Sequence, residues 1–180
     1  EFVDHAGIDQ DAASVGVDVL RKLHAASVTP GPRTVILAPS NLWLTIHESI
    51  GHPTELDRAR GLEANYAGTS FIKPDDAGRL MLGSDLVDVR ADRTQPGGLA
   101  TTGWDDDGVP AQRWAMVDRG RFVGGQTTRD QVGWTTDSRS RGCSYTSAFD
   151  KVPFQRMPNI SLQPHASGYA TEDLINATDD

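Results

Sequence analysis

The chain has 180 residues, 37% of them apolar and 23% charged, and a formal net charge of −8. That length supports one good-sized core, and an acidic chain with no basic cluster excludes nucleic acid as the expected partner. With 18 Gly and 10 Pro, a turn-rich, partly β architecture is expected rather than a helical bundle.

A single cysteine, Cys143, excludes an internal disulfide and fits a reducing cytoplasm. No apolar run approaches the roughly 18 residues that span a membrane, so no membrane partner is expected. The N-terminus, EFVDHAGIDQD, lacks a signal-peptide core. It begins without Met, so Glu1-Phe2 reads as a cloning scar and the chain as a piece of a longer protein.

In chain order, residues 9–27 place Val15, Val19, Leu20 and Leu23 at helical spacing. An acidic start and a late Arg21-Lys22 pair suit the helix dipole. TPGPR breaks this helix, and TVILA (34–38) reads as a short buried strand. Ser40 or Asn41 caps a second helix carrying Leu42, Leu44, Ile46 and then HESIGH. Pro53 stops or restarts it, with Thr54 to Arg60 continuing helically. ANYAGTSFIKPDDAGRL is a Gly/Pro-punctuated loop. LVDVRAD (86–92) alternates as a strand, and PAQRWAMVDRGRFVGGQT (110–127) reads as strand, turn, strand. Thr127 to Phe149 is a long polar loop, and Thr171 to Ala177 a short C-terminal helix. The fold class expected is α+β: a twisted, largely antiparallel sheet with a few helices.

The motif HESIGH raises a geometric question. Residues four apart on an α-helix nearly eclipse, whereas residues five apart, as His47 and His52 are, diverge by about 140°. Two devices bring them together. One is a π-type i→i+5 turn; the other is a helix that ends near Gly51, whose backbone lets His52 swing round. Two neutral imidazoles then suit Zn²⁺, with a third ligand and an open position for water. Glu48, beside a ligand but not one itself, serves as the general base on a zinc-bound water whose pKa falls toward about 7. The competing reading is two polar histidines at a helix end beside a solvated Glu48.

HESIGH resembles the H-E-x-x-x-H of the TldD/PmbA metallopeptidase (modulator of DNA gyrase) family. Glu55, YAGTSF (66–71), GWDDDGVPAQRWAMVDRGRFVGGQ (103–126) and QRMPNISLQP (155–164) resemble further family segments in one collinear order. On the motif the chain is similar to the TldD-type, zinc-bearing subunit. Pro53 and His165 stand where the family commonly has glycine. The family's third zinc ligand is a cysteine in a C-G-K-x-G-Q segment downstream of Asp180. The resemblance therefore implies that residues 1–180 are a catalytic-region fragment, without the N-terminal domain and that segment. It implies zinc-dependent hydrolysis of peptide bonds in short or unfolded polypeptides, with His47 and His52 as metal ligands and Glu48 as catalytic base. A PmbA/TldE-like subunit or a second copy of the chain is the implied partner. The alternative is a non-catalytic binding or regulatory module of the same fold. An edge strand near the site is expected to hold an extended substrate by strand addition.

Glu55 reads either as an orienter of a ligating histidine or as a solvated helix carboxylate. Cys143 reads as a substitute thiolate ligand or, in preference, as a loop thiol near the cleft, its pKa drawn down by Arg139 and Arg141. His5, His24 and His165 have no partner spacing. Asp105, Asp106 and Asp107 form an acidic turn rather than an EF-hand. Trp104, Trp114 and Trp134 read as core residues or as the floor of a peptide groove.

Overall fold

The structure is a computed structural model that describes residues 7–166 and 168–178, so His5 and the Glu1-Phe2 pair lie outside the described residues. The described residues divide into two compact units, one up to Val35 and one from Ile36 onward. In the first, helix α1 (Ile8–His24) carries Arg21, Lys22 and His24 in its last turn, where cations complement the helix dipole. Arg21 pairs with Asp18 at 3.2 Å, and His24 Nδ1 meets the Leu20 carbonyl at 2.9 Å. Val15, Val19, Leu20 and Leu23 stand exposed within this unit.

The second unit opens on helix α2 (Pro39–Ile46). Its strands are β1 (Val89–Asp92), β2 (Arg113–Asp118), β3 (Arg121–Phe122), β4 (Ser144–Tyr145), β5 (Phe154–Gln155) and β6 (Asn159–Leu162). Four of them form an antiparallel sheet in the order β3-β2-β1-β6, and β4 and β5 form a separate two-stranded ribbon. The α+β reading with a largely antiparallel sheet therefore holds. The hairpin falls where the sequence put it. Arg119 and Gly120 both have positive φ, 45° and 76°, the geometry of a two-residue type I′ turn whose twist matches the flanking strands. Gly120 is obligatory there, because a Cβ would run into the Gly83 and Ser84 carbonyl oxygens.

Alternation on β1 turns Val89 and Ala91 inward, where they meet Trp114, Met116, Val117 and Cys143 in a fully apolar core. Each buried side chain of that size contributes roughly 1.5–3 kcal/mol by leaving water. Ile50, from the middle of HESIGH, packs on this core together with Ile160 of β6. The candidate site is thus pinned to the sheet by its own apolar residue. Trp114 is core, whereas Trp104 is 66% exposed.

Four expectations change. Neither Ser40 nor Asn41 caps the second helix: both lie inside α2, which starts at Pro39 with Ala38 as its N-cap, because proline suits the first helical turn, where no backbone donor is needed. The TVILA stretch is irregular, with Val35, Ile36 and Leu37 exposed; an apolar β-branched run forms a strand only where a neighbour completes the ladder, and the sheet takes its strands from elsewhere. The helix expected from Thr54 to Arg60 is broken at Glu55, whose ψ of 121° is extended. There Gln126 N–H donates to Thr54 O at 2.9 Å and Leu56 N–H to Gln126 O at 3.2 Å, and helix α3 (Leu56–Ala59) restarts beyond. The polar stretch 127–149 is organised rather than a plain loop: a 3-10 helix at Arg129–Trp134 and strand β4 lie within it. Asp105 orders its neighbourhood, its carboxylate accepting from the N–H groups of Asp107, Val109 and Ser144. The C-terminal helix α4 spans Thr171–Asn176. No helix among the described residues is long and apolar enough to cross a membrane.

Candidate metal centre

Helix α2 runs directly into a π-helical turn, His47–Gly51, and then a 3-10 turn, His52–Thr54. Of the two devices the sequence left open, the chain uses the π turn: His52 N–H donates to the His47 carbonyl, five residues back. The wider turn places the two imidazoles 4.5 Å apart between ring centroids, edge to face at 85°. Ligand atoms of His47, Glu48 and His52 all lie within 4.8 Å of one another.

A π turn leaves carbonyls without their usual helical partners, and buried side chains collect them here. Thr54 Oγ1 donates to the Ile50 and Gly51 carbonyls at 2.7 and 3.0 Å. Gln126 Nε2, from beyond β3, donates to the Gly51 carbonyl at 2.6 Å and to Thr54 Oγ1 at 2.9 Å. Gly51 itself sits where a Cβ would come 2.5 Å from Met157 Sδ, so the turn packs flush against the segment leading into β6.

The electrostatics favour uncharged imidazoles. Burial holds the pKa of both histidines below the ordinary value, with the neighbouring His52 adding to it for His47 and the Arg58 guanidinium adding to it for His52. Neutral imidazole is the form that binds a metal. Glu55, in turn, is buried with its Oε2 2.8 Å from His52 Nδ1, so of the two Glu55 readings the solvated carboxylate is ruled out. A hydrogen bond at Nδ1 leaves Nε2 of His52 as the nitrogen for a ligand. Glu48 stays on the open side, its side chain 61% exposed.

Sequence reading missed what lies behind Glu55. Arg58 Nε stands 3.3 Å from Glu55 Oε2 and Arg58 Nη2 3.4 Å from Glu63 Oε2, while Nη1 donates to the Ala67 carbonyl at 3.0 Å. Asp57 is buried beside them. Burial pushes Glu55 up to about 7 against the pull of Arg58, and pushes Asp57 up to about 6 with Glu63 adding to it. The i,i+3 spacing of Glu55 and Arg58 was the available signal. Cys143 is a correction: it is fully buried in the core, and burial pushes its thiol up to about 12 against the opposing Arg93. It is not a cleft thiolate, because loss of solvation outweighs any nearby arginine.

An open groove of about 650 Å³ runs between α2 and β6, with His47, Trp43, Leu99 and Met157 on its walls. Strand β6 is an edge of the four-stranded sheet.

Two neutral imidazoles, with the Glu48 carboxylate within 4.8 Å of them, fit a divalent metal that accepts nitrogen donors. Comparison with known proteins agrees. A metalloprotease of Methanocaldococcus jannaschii is 28% identical over 159 residues, covering 88% of this chain and 33% of its own length. The chain thus spans about a third of the length of the curated relatives it matches. Two solved structures share the fold. A putative modulator of a DNA gyrase from Thermotoga maritima has a TM-score of 0.56 at 20% identity, over 76% of this chain and 28% of that one. TldE from Thermococcus kodakarensis has a TM-score of 0.53 at 18% identity, over 74% of this chain and 29% of that one. Residues 30–180 match the family profile of the PmbA/TldA metallopeptidase C-terminal domain, and the chain belongs to that family.

Proposed function

We propose that this chain is the metal-bearing part of a zinc metallopeptidase that cleaves short or unfolded polypeptides. The observation carrying this reading is the π turn, which brings His47 and His52 together with Glu48 beside them and Glu55 behind. His47 and His52 hold the zinc through imidazole nitrogens, and Glu55 fixes the ring of His52 through its Nδ1. Zinc, when bound, supplies Lewis acidity toward a peptide carbonyl and lowers the pKa of a water molecule. Glu48 takes the proton from the attacking water and passes it to the leaving amine; its exposed carboxylate is free for that exchange. The substrate lies extended along the α2–β6 groove, adding to the free edge of β6 by backbone hydrogen bonds. Only an unfolded segment can offer that edge.

As a fragment of a longer cytoplasmic enzyme, the chain takes its third zinc ligand from a downstream cysteine segment. A TldE-like subunit or a second copy of the chain is its partner, as the shared fold with TldE suggests. Alone, it binds zinc weakly and has little activity.

The test uses a longer chain that carries the downstream cysteine segment, assayed on an unfolded polypeptide. Cleavage should stop with a chelator and with Glu48→Gln, while Glu48→Gln retains its zinc. Prolines placed along a good substrate should also abolish cleavage, since each removes a backbone donor. Cleavage that survives Glu48→Gln, or a longer chain that binds no more zinc than residues 1–180, would overturn the proposal.

A further inference from the structure

Arg93 follows β1 directly, and its backbone is fixed at both ends: its N–H donates to the Gln112 carbonyl and its own carbonyl accepts from Thr102 N–H, each at 3.0 Å. The residue is 5% exposed, yet its Nε and Nη1 are buried without a hydrogen-bond partner. No ion pair among the described residues includes it. The neighbouring Cys143 shares a hydrogen bond with the Arg93 side chain but supplies no counter-charge, because burial keeps it a neutral thiol. A buried cation outside any ion pair is costly to a fold, and Arg93 lines a cleft.

The cleft is there. About 500 Å³ of open space is lined by Arg93, Arg156, Trp104 and Tyr145. Arg156 lies with its guanidinium 4.6 Å over the Phe154 ring and likewise makes no ion pair among the described residues. Asp105 and Asp106 also line the space, but their carboxylates are occupied by backbone N–H groups, three on Asp105 and that of Thr146 on Asp106. Their two negative charges balance the two guanidiniums, so the space disfavours a dianion such as phosphate more strongly than a single carboxylate. The planar fork of arginine matches a carboxylate. Leu99 and Met157 line both this cleft and the groove that holds His47, so the two spaces adjoin.

We propose that this cleft is a specificity subsite that binds a carboxylate of the peptide substrate through Arg93 and Arg156. The assignment rests on the peptidase reading for its ligand, but not for the binding itself. The carboxylate has two sources, a free C-terminus or an acidic side chain within the chain.

The experiment is a fluorescence titration of the metal-free protein, with the exposed Trp104 as reporter, using four acetylated hexapeptides of alternating Ala and Gly. One ends in a free acid, one in an amide, and two further amides carry Glu or Gln at a central position. At least one carboxylate peptide should bind about tenfold or more tightly than its neutral counterpart, less so in high salt, and which one does so names the source. Arg156→Gln, a partly exposed position, and Arg93→Met should each erase the preference. If Arg93→Met fails to fold, Arg156→Gln and the acid-against-amide comparison in the unaltered chain still decide. Acid peptides that bind no more tightly than neutral ones overturn the subsite. A zinc titration of the same sample separates the two proposals. Charge-selective binding without zinc would overturn the peptidase reading alone, and zinc binding without charge selectivity would overturn the subsite alone.

Discussion

The role of Glu55 turns on one hydrogen bond, 2.8 Å from a buried carboxylate to His52 Nδ1. Partners of this kind orient a ligating imidazole, and their loss typically lowers metal affinity 10–100-fold. Glu55→Gln keeps the shape and removes the charge, so calorimetry should find zinc affinity down by about that factor while the apo protein stays folded. Unchanged affinity would return Glu55 to a purely structural place. Asp57 makes a separate prediction through pH. Its pKa is raised by burial from 3.8 to about 6, so between those values the folded state holds a proton that the unfolded chain has lost. Stability from this group is therefore full at the acid end of the window and is lost as pH rises through it, by on the order of 3 kcal/mol. Asp57→Asn is always neutral and keeps an oxygen for the Arg58 N–H. Denaturant unfolding should show it gaining on the unaltered chain from pH 4 to pH 7; parallel pH profiles would contradict the burial argument.

At the scale of the element, the π turn is stable because its neighbours accept the distortion. Thr54 and Gln126 take the loosened carbonyls, Ile50 buries on the core, and Gly51 lets Met157 approach. Gly51→Ala pushes a methyl into Met157 Sδ, near the end of a flexible side chain that can shift, so the overpacking cost is at the low end, about 1 kcal/mol. A Met157→Ala background should recover most of that loss in a double-variant cycle; additive losses would mean that the glycine is needed for its backbone alone. Much of this was legible in the sequence. The five-residue spacing of His47 and His52 pointed to a π turn or a helix end, and the Arg119–Gly120 turn announced the hairpin. What was not legible depended on distant partners. Glu55 leaves the helix because Gln126, far along the chain, forms a parallel bridge with it. TVILA carries strand propensity but finds no ladder, and Cys143 sits in a polar stretch yet ends in the core.

At the scale of the molecule, the sheet serves as a platform. Strand β1 lies at its centre between β2 and β6, the core on it holds Ile50, and His47 shares the groove with the edge strand β6. Relatives named as metalloproteases and a His47, Glu48, His52 cluster are consistent with a metal, whereas composition alone gave only a turn-rich, partly β chain. The most direct test is the zinc content of residues 1–180 after dialysis against buffered zinc, beside a His47→Ala, His52→Ala double variant. Weak binding that saturates at one zinc per chain and disappears in the variant is the expected result. Zinc retained equally by both proteins, or by neither at saturating zinc, would contradict a metal centre at the π turn.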